Sequence, residues 1–446
     1  MTNSALWLSQ IQFFISLGFL SLFLAIELGL AWLLLFFKIR GRLSGEAGWT
    51  VAYRFWVRVF ALAFVLTFAS SMPVLIQFGS LWPRLMDKIG EIAGPLLTAA
   101  ILTTFIFKSC FLGAMLFGQR RFSDSVHTAM VFMTALGVTL AALWMVVLMS
   151  WMQTPAGANL IDGQYHVVNW FDVLFNPSVG WHAALLVLSS ALTVAFLMLG
   201  VTAGQTLRRP LDDSERLVFR TSLSVAMVGV VLQAAAGAGT GMMIAQHQPA
   251  KAAATAAYWQ SGTQPVLVLT AWPDQADGSN LAAWEWHHAG GRWLGQDDKG
   301  QFVGLDHFSG MSPPVALVFW SFRLMLLIGL LMALAAWVTF FRLRKKQYDP
   351  SVLSERWRRF LRLMMFSGWG ASLAGLCYAL FGLYPYAVNG TVTLSEIASS
   401  TPSNVLAGAG VAYLVFYGVL MLGFLQLLRH IARYGVVPVA RRRGRA

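Results

Sequence analysis

Apolar side chains fill this chain in long runs, not in the short alternating patches of a water-soluble core. Nine runs can be followed, roughly 11–37, 55–80, 93–118, 127–150, 181–206, 217–245, 314–341, 360–384 and 405–428. A hydrocarbon core of ~30 Å needs about 20 apolar helical residues. Each run is long enough, so the pattern predicts an all-α polytopic membrane protein with nine transmembrane helices. The seventh run is the plainest, almost wholly apolar from Ser312 to Phe341, with one charge, Arg323, and Met325 two residues beyond it. A guanidinium inside such a span costs ~2.5–3.5 kcal/mol on insertion scales, so Arg323 is expected to have a partner.

The segments between runs divide the chain into three parts. Residues 1–245 carry helices one to six, 246–313 form a large segment on one side, and 314–446 carry helices seven to nine and a basic tail. Within the large segment, Pro249 to Gly262 has helix-forming composition and is expected to lie along the membrane interface. Leu281 to Leu305 alternates aromatic with polar residues around Gly-rich turns, which predicts one or two short hairpins.

Composition agrees with the runs: 57% hydrophobic, 11% charged, mean hydropathy +0.63. A net charge of +13 might suggest nucleic acid, but the basic residues cluster at the ends of apolar runs. That placement is the signature of membrane orientation, so no nucleic-acid partner is expected. One set of connections holds 22 Lys and Arg, among them Lys38, Arg120, Arg208 and the stretch Arg342–Arg359; the other holds five, namely Arg84, Lys88, Lys251, Arg292 and Lys299. The positive-inside rule then puts the N-terminus outside and the C-terminus in the cytoplasm, with the 246–313 segment outside. The first run is too long for a cleavable signal peptide. Cys110 and Cys377 both lie in apolar runs and read as helix-packing residues, not as a disulfide.

Metal chemistry finds little support. His287 and His288 are adjacent and point apart on either a helix or a strand, and there is no CxxC or HExxH. The ionisable residues deepest in the runs are Glu27, Lys108 and Arg323. Such residues mark function or packed pairs. Glu27 and Lys108 sit at similar depth, so a structural pair is the first expectation and a proton path the second. Met325 alone reads as packing, one of nineteen methionines.

Several motifs, in order, carry a resemblance over nearly the whole chain. LSQIQF (Leu8–Phe13), SWMQTPAG (Ser150–Gly157), VVNWFDVLFNP (Val167–Pro177), the run from Gln246 to Asp274, and FWSFRLM (Phe319–Met325) together resemble subunit I of the cytochrome bd quinol oxidases. The resemblance implies nine spans, an outside N-terminus, a quinol-binding outer loop with Lys251 at the family's lysine, and a b-type haem ligated by the Met of FWSFRLM with the Arg beside it. It also implies a bacterial or archaeal plasma membrane.

The family's haem ligands mostly do not carry over. Counted from the motifs, the first-span His falls on Leu20 and the third-span carboxylates on Ala100 and Lys108. The fifth-span His falls on Leu185, the Glu before GRQPW on Leu380, and the glutamate partner of the quinol-loop lysine on Ala256. Leu and Ala have no lone pair for iron. The expectation is therefore a haem-poor subunit-I-like component of a bd-type terminal oxidase, mainly structural, with no cofactor of its own and a haem-bearing subunit as partner. Small single-span subunits, quinone and lipid are further partners to expect. One b-type haem is the alternative: His182 lies one turn before Leu185 and could join Met325, with Arg323 pairing a propionate. Two other readings are a divergent catalytic subunit I that retains one or more haems, and a non-redox membrane module for quinone or lipid.

Overall fold

The computed structural model describes residues 3–434, apart from the side chains of Asn3, Lys108 and Arg120. Among these residues nine helices are long and apolar enough to cross a membrane: Ser4–Ser44, Ala47–Ser80, Leu85–Phe117, Asp124–Gln153, Trp170–Thr206, Asp213–His247, Val315–Leu343, Glu355–Phe381 and Ser403–Tyr434. They are numbered here as spans one to nine. Most overrun the apolar runs that predict them. Span one is 41 residues, which at 1.5 Å per residue is ~60 Å, about twice a hydrocarbon core. Polar turns at helix ends sit outside the lipid and do not shorten a helix whose backbone bonds are already satisfied.

Two spans are irregular. Span three passes through a π-helical turn, Thr104–Ser109, which contains Lys108. Phe107 there fits against Gly137 of span four, where a Cβ would come within 2.1 Å of the Phe107 Cβ. The Lys108 side chain lies outside the described residues, so the Glu27–Lys108 pair is not tested; Glu27 itself is fully buried in span one. Span eight begins as a short helix, Glu355–Leu363, and continues through a 3-10 turn into Ser367–Phe381.

The core is aromatic and dry. Span one packs on span nine through Phe19 against Tyr417 (centroids 4.6 Å apart) and Phe23 against Phe424 (5.0 Å). Trp369 of span eight stacks into the same group and donates its indole N–H to the Leu22 carbonyl at 2.8 Å. Spans one and five touch backbone to backbone. A Cβ at Gly29 would lie 2.5 Å from the Ser190 carbonyl oxygen, so only glycine allows this approach. Cys110 and Cys377 are both free thiols.

Three two-stranded sheets decorate the end of the bundle that carries residues 246–313, called here the loop end. Strands β1 (Ala158–Ile161) and β2 (Gln164–Val167) form a hairpin after span four. Strands β3 (Val266–Asp274) and β4 (Ser279–His287) form a longer one, and β5 (Tyr386–Val388) pairs with β6 (Val392–Thr393). The main hairpin thus begins upstream of the stretch Leu281–Leu305 that its aromatic alternation singles out; the β-branched run VLVLT supplies the first strand, and residues beyond His288 form turns and isolated bridges. The expected helix is also found, at Pro249–Ala256, packed into the protein and not lying free on its surface. Lys251 to Ala254 are buried, because the helix is wedged against spans six and seven instead of resting on lipid.

Candidate functional site

The polar chemistry of the loop end converges on Lys251. Its helix starts with Pro249 at the first turn, where a missing N–H costs nothing, and ends at Ala257 in the left-handed conformation (φ 49°). Lys251 points inward and is 3% exposed. Its ammonium lies 4.6 Å from the centroid of the Tyr378 ring in span eight and 3.5 Å from the Gln153 Oε1 at the end of span four. A Cβ on Gly382 would lie 2.8 Å from the Lys251 Cε, so this glycine makes room for the lysine stem.

Other side chains close the shell. Gln248 points its amide at the same Gln153 oxygen, also at 3.5 Å, while its own Oε1 is buried without a hydrogen-bond partner. Thr255 donates to the Lys251 carbonyl at 2.6 Å and reaches the Tyr378 hydroxyl at 3.0 Å. Among the described residues no carboxylate is within ion-pair distance of Lys251, and the family's partner glutamate falls on Ala256. Burial without a counter-charge pushes the Lys251 ammonium down to about 7. The arrangement brings an amine, a ring face and two amides together among buried residues.

His182 is the neighbouring titratable group. It sits in the first turn of the span-five helix Val179–Thr206, close enough to Lys251 to feel its charge, and its Nδ1 is buried without a hydrogen-bond partner. Met325 faces the same span eight from span seven: a Cβ on Gly375 would lie 3.2 Å from its Sδ. Gly375 is one turn before Tyr378, so Lys251 and Met325 border one stretch of span eight.

Arg323 has the partner its burial demands, but the partner is main chain. Its Nε donates to the Leu269 carbonyl at 2.8 Å, and its Nη1 to the Thr255 and Phe319 carbonyls at 2.9 and 3.1 Å. Its Nη2 donates to Val268, and the guanidinium also rests on the Phe319 ring. Four of the five N–H donors are thereby committed, which leaves one for any propionate. Arg323 pins strand β3 and the end of the Lys251 helix to span seven.

The positions that the motifs set against haem ligands carry apolar side chains, and two of them, Leu380 beside Tyr378 and Leu185 one turn from His182, lie close to this site in the chain. Leu20, Leu185 and Leu380 are half-buried and Ala100 is buried. None has a donor atom in its side chain. The sequence singles out Lys251, His182, Met325 and Arg323 but not Gln153, Gln248, Thr255 or Tyr378. Gln153 is the amide of SWMQTPAG, whereas Tyr378 sits in an apolar run and gives no signal.

A buried polar network adjoins the site. Ser150 of span four and Thr154 at its end meet Asn176 and Ser178 just before the helix Val179–Thr206, with Thr154 Oγ1 2.7 Å from Ser178 Oγ and the Asn176 amide donating to Ser150 Oγ at 3.0 Å. These bonds fix the relative height of spans four and five, and hence of Gln153 and His182.

Nine apolar spans with a buried lysine in a loop-end helix, and no carboxylate beside it among the described residues, define a polytopic membrane protein with a polar site at one end of its bundle. The model of the cytochrome bd terminal oxidase subunit I family matches residues 8–436, and the chain belongs to that family. It is 26% identical over 435 residues to cytochrome bd ubiquinol oxidase subunit 1 of Bacillus subtilis (strain 168), covering 94% of this chain and 90% of that protein. It is 25% identical over 504 residues to cytochrome bd-II ubiquinol oxidase subunit 1 of Escherichia coli (strain K12), covering 96% of each. Its fold is similar to that in the structure of bd oxidase from Geobacillus thermodenitrificans, with a TM-score of 0.88 at 20% identity, over 98% of this chain and all of that one.

Proposed function

We propose that this chain is a haem-poor subunit of a bd-type quinol oxidase complex: it shapes a quinol site around Lys251 and leaves oxygen chemistry to a haem-bearing partner. The observation that carries the reading is the contrast between two sets of positions. Where counting from the motifs puts the family's haem ligands, Leu20, Ala100, Leu185 and Leu380 offer iron nothing. The residues present therefore do not fit a pair of high-spin haems, and no step is routed through one. At the loop end, by contrast, Lys251, Gln153, Gln248 and Tyr378 keep polar atoms in a buried recess. A quinol hydroxyl that replaced the long Gln153 contact would meet an amine able to accept its proton near neutral pH.

The positive-inside distribution supports a plasma-membrane orientation with the loop end outside and the basic connections in the cytoplasm. The second reading rests on the orphaned Nδ1 of His182: with Met325 it would hold one b-type haem at the loop end, an electron carrier next to the Lys251 recess.

A reduced-minus-oxidised visible spectrum with haemochrome quantitation, on the chain alone and then with co-purifying subunits, tests both. The proposal expects no d-type band from the chain alone and b and d signals from the complex. A d-type band from the chain alone refutes it. One b-type haem that is lost in His182→Ala and Met325→Leu establishes the second reading.

A further inference from the structure

The β3–β4 hairpin exposes a group of large apolar side chains that the quinol-site reading does not use: Trp272, Leu281, Trp284 and Trp286, each more than half exposed, with Leu269 beside them. The register pairs Trp272 with Leu281 and Thr270 with Trp284, while Val268 and Ala271 of the same strand are buried against the bundle. The sheet has only two strands, so β4 is also an open edge. In water, such a patch and edge would invite aggregation.

The hairpin's depth identifies what covers it. Span seven is 29 residues, or ~43 Å, which matches a bilayer with its headgroup layers. Its first turns therefore lie among headgroups and Trp320 lies near the hydrocarbon boundary. Trp272 is at that same level, its ring centroid 6.3 Å from that of Trp320. Arg323, one turn deeper, holds the Val268 and Leu269 carbonyls, so β3 runs beside span seven and does not stand above it. The flank of span seven continues the apolar surface through the exposed Leu317, Leu324 and Leu327. Tryptophan favours this boundary because one edge of the ring is apolar and the other carries an N–H. Charge narrows the partner further. Between residues 252 and 291 there is no Lys or Arg, while Asp274, Asp277 and Glu285 are acidic. The hairpin has no attraction for anionic headgroups.

We propose that the β3–β4 hairpin is an interfacial membrane anchor, its tryptophans seated in the headgroup–acyl boundary of the loop-end leaflet and binding zwitterionic lipid. Because Arg323 ties both β3 and the end of the Lys251 helix to span seven, this anchor holds the segment around Lys251 at the depth where a lipid-soluble ligand arrives.

The test is site-directed spin labelling of the full chain, with its co-purifying subunits, in phosphatidylcholine nanodiscs. On a Cys110→Ser, Cys377→Ser background, labels are placed at Trp284→Cys, Trp286→Cys and Glu285→Cys, with Lys299→Cys as an aqueous reference. The expected result is a ratio of oxygen to nickel-chelate accessibility several-fold higher at 284 and 286 than at 299, unchanged by salt. Equal ratios at all four sites would put the hairpin in water and overturn the proposal. Exclusion of both reagents in the complex, relieved when the chain is purified alone, would mean that a protein subunit covers the patch and would overturn it equally. Quenching of the unlabelled protein's tryptophans by bromolipid, reduced in Trp284→Ser/Trp286→Ser, is the check that does not depend on labelling.

Discussion

Replacing Arg323 by Leu removes four hydrogen bonds from a charged donor to the carbonyls of Thr255, Val268, Leu269 and Phe319. Hydrogen bonds to charged groups contribute ~1.5–3 kcal/mol each, but the Phe319 carbonyl keeps its place in the helix and the four are not additive. The three carbonyls of the loop segment are the ones that lose an anchor, a gross loss of ~4–9 kcal/mol. Against it stands the ~2.5–3.5 kcal/mol saved by removing a charge from the span. The difference, centred on ~3.5 kcal/mol, falls on attachment of the loop segment and not on the bundle. At about 1.4 kcal/mol per decade, local opening should rise by roughly two to three orders of magnitude. Limited proteolysis of the loop segment in oriented vesicles reads this directly. Arg323→Leu should be cut much faster between residues 275 and 300 while the spans stay intact, and Arg323→Lys, with fewer donors in less favourable directions, should fall between. Equal cleavage rates for wild type and Arg323→Leu would refute the reasoning, because the guanidinium would then not hold the segment.

Three further outcomes follow from the same geometry. Lys251 binds its proton less tightly when folded (about 7) than when unfolded, where lysine titrates near 10.4. The unfolded chain therefore holds more protons between these values, and stability rises with pH across this window, by at most ~1.4 kcal/mol per pH unit. Lys251→Met should flatten that rise in denaturation series at pH 7 to 9, and a wild-type slope that survives the substitution would assign it to another group. Gly29→Ala should lower the Tm, because its Cβ has no room against the Ser190 carbonyl and overpacking costs ~1–3 kcal/mol; an unchanged Tm would mean that spans one and five part freely. Asn176→Ala should cost a similar ~1–3 kcal/mol by leaving buried hydroxyls of Ser150 and Ser178 short of a partner, with the loss read by thermal denaturation in detergent.

How much of this was legible in the sequence depends on whether the signal was local. Span number and order follow from apolar run length alone, because lipid forces every crossing to satisfy its backbone internally. Arg323 announces itself as a charge in a thirty-residue apolar stretch. What it binds does not, since carbonyls of residues 255, 268 and 269 come to it only through the fold. The π-helical turn at Thr104–Ser109 is invisible for another reason: an extra residue in one turn changes the hydrogen-bond pattern and not the composition of the run. The Lys251 helix shows the limit of composition. Alanine-rich PAKAAATA has a strong helix propensity, but small side chains serve a buried helix as well as an interfacial one, and only packing against spans six and seven decides between them.

The recess and the aromatic core also differ in what they ask of the chain. A buried ammonium without a carboxylate is costly, and its desolvation is repaid only in part by a ring face and a long amide contact. Stability alone would be served as well by methionine at 251, which would fill the same volume beside Gly382 and Tyr378. Arg323 is different, since its four bonds repay its burial within this chain. The two cations thus separate by function: one is explained by the structure it holds, and the other is explained by a ligand that would complete its hydrogen bonds. On the proposed reading, the donor-free side chains at Leu20, Ala100, Leu185 and Leu380 and the lysine at 251 are compatible. Oxygen chemistry would fall to a partner, whereas a quinol entering from the loop end would need a polar contact at the depth where it enters.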